Sequence, residues 1–207
     1  KGAVSETVSG IRSADKLPPE ITSLTPGETT PIRGIVTLSA MAVDNQAIES
    51  VSFYYESPDE PQIYYLIDTI ETGGKNGLVS TTFDTRNLQD GMYQIYVQAK
   101  DTNGNVSAWM QKTYSIDNTA PERAVLLTSE ENYRIRLSWE TKGLITDVVR
   151  YELYRRSSAE DNFKKIYAGT DTAYLDSDVD PAYAYGYKIR TFDAAGNYTD
   201  SYISYAT

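Results

Sequence analysis

Hydrophobic and polar residues alternate with a period of two along most of the chain. In the stretch YRIRLSW (133–139), the side chains at odd positions are apolar or aromatic and those at even positions are polar. The stretch VVRYELYRR repeats the alternation, with Val149, Tyr151 and Leu153 on its apolar side. Successive side chains of a strand point to opposite faces, so the pattern predicts strands with one buried and one solvated face. Because no window of a dozen residues keeps the spacing of an amphipathic helix, we predict an all-β protein.

The two halves of the chain carry the same succession of elements. Asp101 and Asp193 begin two similar stretches, DTNGN and DAAGN, that lie 92 residues apart, and aligning them superposes Tyr93 on Tyr185. About fourteen segments have strand patterning, and they divide evenly into seven for each half. Seven is the number of strands in an immunoglobulin-like sandwich. We therefore predict two seven-stranded immunoglobulin-like β-sandwiches in tandem.

The boundary between the two predicted domains lies in the stretch SIDNTAPERA (115–124). Pro121 within it cannot donate a ladder hydrogen bond and therefore does not continue a central strand. We place the first domain at residues 17–118 and the second at residues 119–207. Residues 1–16 lack strand patterning and are predicted to be a tail or the end of a preceding domain. Because the linker is short and has no Gly/Ser run, we expect domains arranged end to end with restricted bending.

Composition and charge exclude several classes of function. The net charge of −10 and the pI of about 4.5 disfavour binding to nucleic acid or to anionic membranes. No run of apolar residues is long enough to predict membrane insertion. The chain has no Cys and no His, which removes disulfides, thiolate chemistry and the usual general base of a catalytic triad. Since no catalytic motif remains, we expect no enzymatic activity and no cofactor.

From about residue 121 onward the chain resembles a fibronectin type III domain. The resemblance rests on LSW, which contains Trp139, on YELYRR, and on YLDSDVDPAYAYGYKIRTFDAAGN. In this last stretch, the family's pattern of a turn Asp, an apolar residue, Pro and alternating tyrosines before a Gly-Asn turn falls on Asp176, Val179, Pro181, Tyr185 and Gly196. The resemblance implies that Tyr185, and likewise Tyr93, is a tyrosine corner, whose hydroxyl holds the preceding connection to the backbone.

Residues 17–118 resemble a bacterial immunoglobulin-like domain, through GIVTLSAMAVDNQAIESVSFYY, LQDGMYQIYVQAKDTNGN and IDNTAP. Such tandem modules imply an extracellular or cell-surface segment of a bacterial protein that spaces or presents other domains. The expected partners are the neighbouring domains of the parent chain, and the expected state is a monomer. The alternative is an adhesin or a carbohydrate-binding module, which would bind a glycan or a surface protein through a sheet face that bears tyrosines.

The stretches DTNGN and DAAGN favour a structural turn. Gly104 and Gly196 supply positive φ, and the short polar side chains cap backbone amides in turns of this kind. A helix-flanked calcium loop would also need a distant bidentate Glu, which neither stretch has in place. The sequence therefore predicts no metal site at these turns. Elsewhere there are two groups of calcium candidates. Carboxylate counting gives Asp176, Asp178 and Asp180, and the pair Asp117 and Asn118 could bind a cation at the domain junction.

Two tyrosine pairs provide the only ligand-binding candidates. SFYYES and QIYYLID each hold adjacent tyrosines, so one of each pair faces outward if these segments are strands. We take Tyr54 and Tyr64 as the residues that would stack on a sugar ring if an exposed aromatic patch serves a function. Scattered aromatic residues are also common on sheet faces, which is the structural alternative.

Overall fold

The computed structural model describes residues 15–26, 31–142 and 147–206. These residues form fifteen strands in four antiparallel sheets and no helix. They divide into two compact units. Unit 1 contains residues 15–26, 35–85 and 91–115, and unit 2 contains the remaining described residues. Within the described residues, no helix is long and apolar enough to cross a membrane.

Unit 1 is a sandwich of a three-stranded and a four-stranded sheet. Its strands are β1 (Glu20–Thr25), β2 (Ile35–Val43), β3 (Ile48–Glu56), β4 (Tyr65–Glu71), β5 (Asn76–Asp84), β6 (Gly91–Asp101) and β7 (Met110–Ile116). One sheet has the order β1-β2-β5, and the other has the order β4-β3-β6-β7. Each sheet contributes alternate side chains to the core, which is why Leu38, Val51, Phe53, Ile95 and Val97 are completely buried.

Unit 2 repeats this architecture. Its strands are β8 (Val125–Glu131), β9 (Arg134–Glu140), β10 (Arg150–Ser157), β11 (Lys164–Gly169), β12 (Ala173–Asp176), β13 (Tyr185–Phe192), β14 (Tyr198–Asp200) and β15 (Ser204–Ala206). One sheet has the order β12-β9-β8, and the other has the order β11-β10-β13-β14, with β15 also paired to β13. The core of unit 2 contains Leu137, Trp139, Leu153, Tyr187 and Ile189.

The all-β class and the paired sandwiches are confirmed, but the strands of unit 2 differ from the predicted count. The described part of unit 2 has eight strands rather than seven, because the last predicted strand is interrupted between β14 and β15. Both short strands pair with β13. At the interruption, Ser201 bonds to Ile189 through its backbone N–H and its hydroxyl, which replaces the regular ladder.

Tyr133 and Val149 were predicted to face the core of unit 2, but neither does. Tyr133 and the preceding Asn132 form the two-residue connection between β8 and β9, where both have positive φ, of 63° and 48°. Tyr133 therefore lies in a hairpin turn and is 86% exposed. Val149 precedes β10 and is exposed as well. The alternating pattern in both cases continues beyond the end of the strand, where it no longer determines which way a side chain points.

Candidate functional site

The repeated DTNGN and DAAGN stretches form the same turn in the two units. Asp101 Oδ1 accepts hydrogen bonds from the backbone N–H groups of Asn103 and Asn105, and Asp193 Oδ1 accepts one from the N–H of Asn197. The glycine of each turn has positive φ, of 89° and 84°. These contacts confirm the structural turns predicted from the sequence. In each turn these backbone N–H groups bond only to Oδ1 of the aspartate.

Asp193 belongs to a cluster of three carboxylates at one end of unit 2. Asp117 precedes β8, Asp147 lies between β9 and β10, and Asp193 follows β13. One carboxylate oxygen from each of the three lies within 4.8 Å of the others. Burial raises the pKa of Asp117, and the negative charge of Asp193 raises it further. We call these three residues the unit 2 acidic trio. The sequence identified Asp117 as a cation candidate but not Asp147 or Asp193 as its neighbours.

Asn118, the calcium candidate next to Asp117, makes hydrogen bonds that hold the neighbouring backbone. Its side-chain oxygen accepts a hydrogen bond from the N–H of Gly34 at 3.0 Å, and its own N–H donates to Asp90 Oδ1 at 2.6 Å. All three residues are part of unit 2. The side chain of Asn118 therefore has a role in holding the backbone, whatever further role the neighbouring Asp117 has.

Unit 1 contains an equivalent group of carboxylates. Asp15 precedes β1, Asp44 lies between β2 and β3, and Asp101 ends β6. Oxygens of these three residues also lie within 4.8 Å of one another. We call them the unit 1 acidic trio. Burial acts to raise the pKa of Asp101, but hydrogen bonds from the side chain and backbone of Asn105 outweigh it and lower the pKa.

The Asp176, Asp178 and Asp180 stretch is organised by an arginine. Arg155 Nη1 donates to both carboxylate oxygens of Asp176, which is buried, and Arg155 Nη2 contacts Asp178 Oδ2 at 3.3 Å. The hydroxyl of Tyr187 also donates to Asp176 at 2.9 Å. Burial and the hydrogen bond to Asp176 both raise the pKa of Tyr187. Asp176 therefore has a structural partner, and the geometry does not direct the three carboxylates to a common cation.

Asp180 and Tyr185 form the tyrosine corner implied by the resemblance. The Tyr185 hydroxyl accepts a hydrogen bond from the backbone N–H of Asp180 at 2.8 Å, and it thereby holds the connection that leads into β13. Tyr93, at the equivalent place in unit 1, is buried and its ring lies 6.2 Å from that of Tyr55. The corner is confirmed for Tyr185 and stays a prediction for Tyr93.

Four aromatic side chains meet on the outer face of the four-stranded sheet of unit 1. Tyr64 and Trp109 are nearly parallel, with ring centroids 6.1 Å apart, and they are 49% and 46% exposed. Tyr54 and Tyr96 each meet Trp109 edge to face, at 5.6 and 5.9 Å. We call these four residues the aromatic cluster. It brings together both tyrosines that the sequence singled out.

A carboxylate borders the aromatic cluster. The Tyr96 hydroxyl donates to Glu56 Oε2 at 2.6 Å. This hydrogen bond, together with burial, raises the pKa of Tyr96 to about 12, and it lowers the pKa of Glu56. The pair is thus an ionised carboxylate bonded to a neutral phenol at neutral pH. The cluster therefore offers aromatic ring faces next to a negatively charged hydrogen-bond acceptor.

Sequence reasoning missed Tyr96 and Trp109 as members of the aromatic cluster. The alternation in GMYQIYVQAKD was a usable signal for Tyr96, because it places Tyr96 on the face opposite to Ile95 and Val97. Trp109 had no such signal. It lies just before β7 and Tyr64 lies just before β4, and these two strands are not neighbours in the sheet. Contacts of this kind depend on the sheet order, which a local pattern does not contain.

A model of the bacterial Ig domain family matches residues 19–97. The FN1–FN3 domains of chicken CNTN1 are similar in structure, with 11% sequence identity and a TM-score of 0.58 over 91% of this chain and 67% of that chain. A segment of titin is similar over 92% of this chain and 66% of that chain, with 16% identity and a TM-score of 0.58. The chain is a tandem of immunoglobulin-like and fibronectin type III-like sandwiches.

Part of the chain is also similar to the pectate lyase Pel3 from Pectobacterium carotovorum, with 24% identity and a TM-score of 0.36. The matched part is 42% of this chain and 27% of the length of that enzyme. No curated protein matches the chain. Modules of the immunoglobulin and fibronectin type III kinds are typical of extracellular multidomain proteins.

Proposed function

We propose that this chain is a non-catalytic segment that spaces or presents other domains of a larger extracellular protein. The observation that carries the proposal is that each unit is a complete sandwich with its own buried core. Such a unit can fold next to a neighbour without depending on it. The neighbouring domains of the parent chain are then its principal partners, and a monomer is sufficient for the role.

The groups with displaced pKa values in unit 2 support a structural role. A hydrogen bond from Arg190 is the main cause of the lowered pKa of Asp200. Burial acts to raise the pKa of Glu152, but hydrogen bonds from Tyr154, Lys165 and Arg150 outweigh it. These groups are held in ion pairs on sheet faces rather than in a concave site, where an enzyme would need them.

Small-angle X-ray scattering of the 207-residue chain tests the spacer role. The short linker around Pro121 leads us to expect an extended particle with a narrow distribution of shapes. A variant with a flexible Gly/Ser insertion after Thr119 is the control, and its distribution should broaden. If the unmodified chain scatters as a compact globule, or samples shapes as widely as the insertion variant, it does not act as a spacer.

The aromatic cluster supports a second candidate, a carbohydrate-binding or adhesin module. Exposed contiguous aromatic surface tends to mark a binding site, and ring faces of Tyr and Trp are suited to the apolar face of a sugar. Glu56 would accept hydrogen bonds from sugar hydroxyls at the border of the cluster, although its bond to Tyr96 uses part of that capacity. The ligand class in this case is a neutral glycan, because an anionic one would be repelled by Glu56.

A glycan array separates the two candidates. If unit 1 binds a glycan, the variant with Tyr54→Ala and Tyr64→Ala loses the signal, whereas Tyr202→Ala, which removes an exposed tyrosine of unit 2, retains it. Binding that is absent from the unmodified chain, or that is unchanged in the double variant, excludes the aromatic cluster as a glycan site and leaves the spacer role.

A further inference from the structure

The unit 2 acidic trio concentrates negative charge without a compensating cation among the described residues. None of the carboxylates of Asp117, Asp147 and Asp193 makes an ion pair within that part of the chain. Arg33 is nearby, but its guanidinium donates to Ala195 O at 2.9 Å and to the side-chain oxygen of Asn197 at 3.1 Å. Three carboxylates held this close repel one another unless a cation lies between them.

Besides the unpaired charge of the trio, the side chain of Asp193 has a buried oxygen without a partner among the described residues. This side chain is 2% exposed. One oxygen, Oδ1, accepts the turn hydrogen bond from Asn197 N–H at 2.7 Å. The other oxygen, Oδ2, is buried and has no hydrogen-bond partner among the described residues. A buried carboxylate oxygen without a partner lowers the stability of the folded state. Its presence at the centre of an acidic cluster therefore points to a ligand that supplies positive charge.

The two acidic trios differ in what their asparagine does. In unit 1, Asn105 Nδ2 donates to Asp101 Oδ2 at 2.7 Å and also to the backbone oxygen of Asp15 at 3.1 Å, so both oxygens of Asp101 are occupied. In unit 2, Asn197 Nδ2 donates to the backbone oxygen of Asp117 at 2.9 Å and contacts Asp117 Oδ1 at 3.4 Å, but among the described residues its side chain makes no hydrogen bond to Asp193. The same turn therefore satisfies both oxygens of its aspartate in unit 1 and leaves one oxygen of Asp193 available in unit 2. The unpartnered oxygen of the unit 1 trio is Asp15 Oδ2, on a side chain that is only partly buried, whereas Asp193 is 2% exposed.

We propose that Asp117, Asp147 and Asp193 form a calcium-binding site at the end of unit 2. Hard oxygen ligands are the ones that calcium prefers. Calcium–oxygen bonds of about 2.3–2.6 Å allow two ligands of one ion to lie up to about 5 Å apart. Oxygens that all lie within 4.8 Å of one another are therefore close enough to share one calcium ion. Water completes the coordination, because Asp147 is exposed to solvent.

Calorimetric titration of the 207-residue chain with CaCl₂ tests the site. A background of about 0.15 M NaCl screens the exposed charges and isolates specific binding. We expect about one ion per chain, with a Kd at or below about 1 mM, which is the range of extracellular calcium modules. The thermal transition of unit 2 should rise with CaCl₂ and not with NaCl of equal ionic strength, because calcium binds the folded state.

Asp147→Asn is the informative variant, because Asp147 is exposed and makes no hydrogen bond within the described residues. We expect calcium binding at least about tenfold weaker in this variant, since one carboxylate ligand becomes neutral. Without calcium the variant should be as stable as the parent chain or more stable, because mutual repulsion in the trio is relieved. The matched control is Asp44→Asn, the equivalent change in unit 1, which should leave calcium binding unchanged.

Three results would overturn the assignment. The first is a calcium-induced rise of the transition that NaCl reproduces at equal ionic strength, which is screening alone. The second is calcium binding that Asp147→Asn leaves unchanged. The third is loss of binding in Asp44→Asn, which would transfer the site to unit 1. None of these results bears on the spacer role, which does not depend on calcium.

Discussion

Arg155 donates from Nη1 to both carboxylate oxygens of Asp176, at 2.9 and 3.0 Å. Asp176 is 2% exposed, and Arg155 is largely buried as well. The pair joins β10 to the end of β12, and these strands lie in different sheets of unit 2. Removing either member of a buried ion pair is destabilising, because the charge of the other member then has no compensation.

We expect Asp176→Asn to destabilise unit 2 by about 3–5 kcal/mol, the range for breaking one side of a buried ion pair. The control is Asp178→Asn, because Asp178 contacts the same arginine but its side chain is 98% exposed. That change should cost at most about 1 kcal/mol. Urea unfolding of both variants gives the comparison. Equal losses would mean that burial does not determine the strength of these contacts.

The two tryptophans of the chain provide a matched pair for core packing. Trp139 is 3% exposed and its ring lies 5.8 Å from Tyr151 and 6.0 Å from Tyr167, whereas Trp109 is on the surface of unit 1. Trp139→Ala should cost about 3–5 kcal/mol, a large share of the roughly 5–15 kcal/mol that stabilises a domain. Trp109→Ala should cost about 1 kcal/mol or less.

Calorimetry should show the transition of unit 2 lost or strongly lowered in Trp139→Ala, with the transition of unit 1 retained. A parent-like melt of Trp139→Ala would contradict its place in the core. Loss of both transitions at once would contradict the separate cores on which the spacer role rests.

The hairpin turn between β8 and β9 holds removable strain. Tyr133 has a φ of 63°, which costs a residue with a side chain about 1–2 kcal/mol, and glycine pays almost none of this cost. Asn-Gly is also the preferred pair for a turn with two positive φ values. We therefore expect Tyr133→Gly to raise the transition of unit 2 by several degrees, equivalent to about 1 kcal/mol. Tyr133→Ala keeps the backbone strain and should bring no gain in stability. Equal gains in both variants would mean that removal of the Tyr133 ring, and not relief of the strain, stabilises unit 2.

Asp200 should contribute to stability in a way that depends on pH. Its carboxylate accepts hydrogen bonds from Arg190 Nε at 2.6 Å and from Lys188 Nζ at 2.7 Å, which lower its pKa in the folded state. A lowered folded-state pKa means that the stabilisation is complete above the unfolded value of about 3.9 and is lost as the pH falls through the folded value.

Asp200→Asn should therefore lower the transition of unit 2 most at neutral pH, and the difference from the parent chain should shrink below about pH 4. Thermal melts between about pH 2.5 and pH 7 measure this difference. Asp161→Asn is the control, because Asp161 is exposed and its carboxylate makes no ion pair within the described residues. A difference that stays constant with pH would show that Asp200 acts through packing rather than charge.

Local patterns were sufficient for the class of fold and for much of the core. Burial alternates along β9, where Ile135, Leu137 and Trp139 face inward, and along the middle of β13, where Tyr187 and Ile189 do. These residues could be predicted because the side-chain period of a strand is a property of the chain itself. The pattern was wrong where a strand ended, as at Tyr133, because the period constrains a side chain only while the backbone stays extended.

The turns after β6 and β13 were predictable for a similar reason. Gly104 and Gly196 are the residues that tolerate positive φ, and an aspartate at the start of such a turn caps the amides that follow it. All the groups involved lie within five residues of one another. The fate of the second carboxylate oxygen was not predictable. Both asparagine side chains donate to a carbonyl that is distant in sequence, and only that of Asn105 also donates to its own aspartate.

The sequence alone determined the alternation, the repeat and the turns, since each of these depends on residues that are close in the chain. Only the tertiary structure decided that Asp147 lies beside Asp117 and Asp193, and that Trp109 lies beside Tyr64. Both sets join segments that are far apart in sequence, and sheet order determines which segments meet. The energies involved also depend on burial, because the low dielectric interior makes an unpaired carboxylate costly and a paired one stabilising.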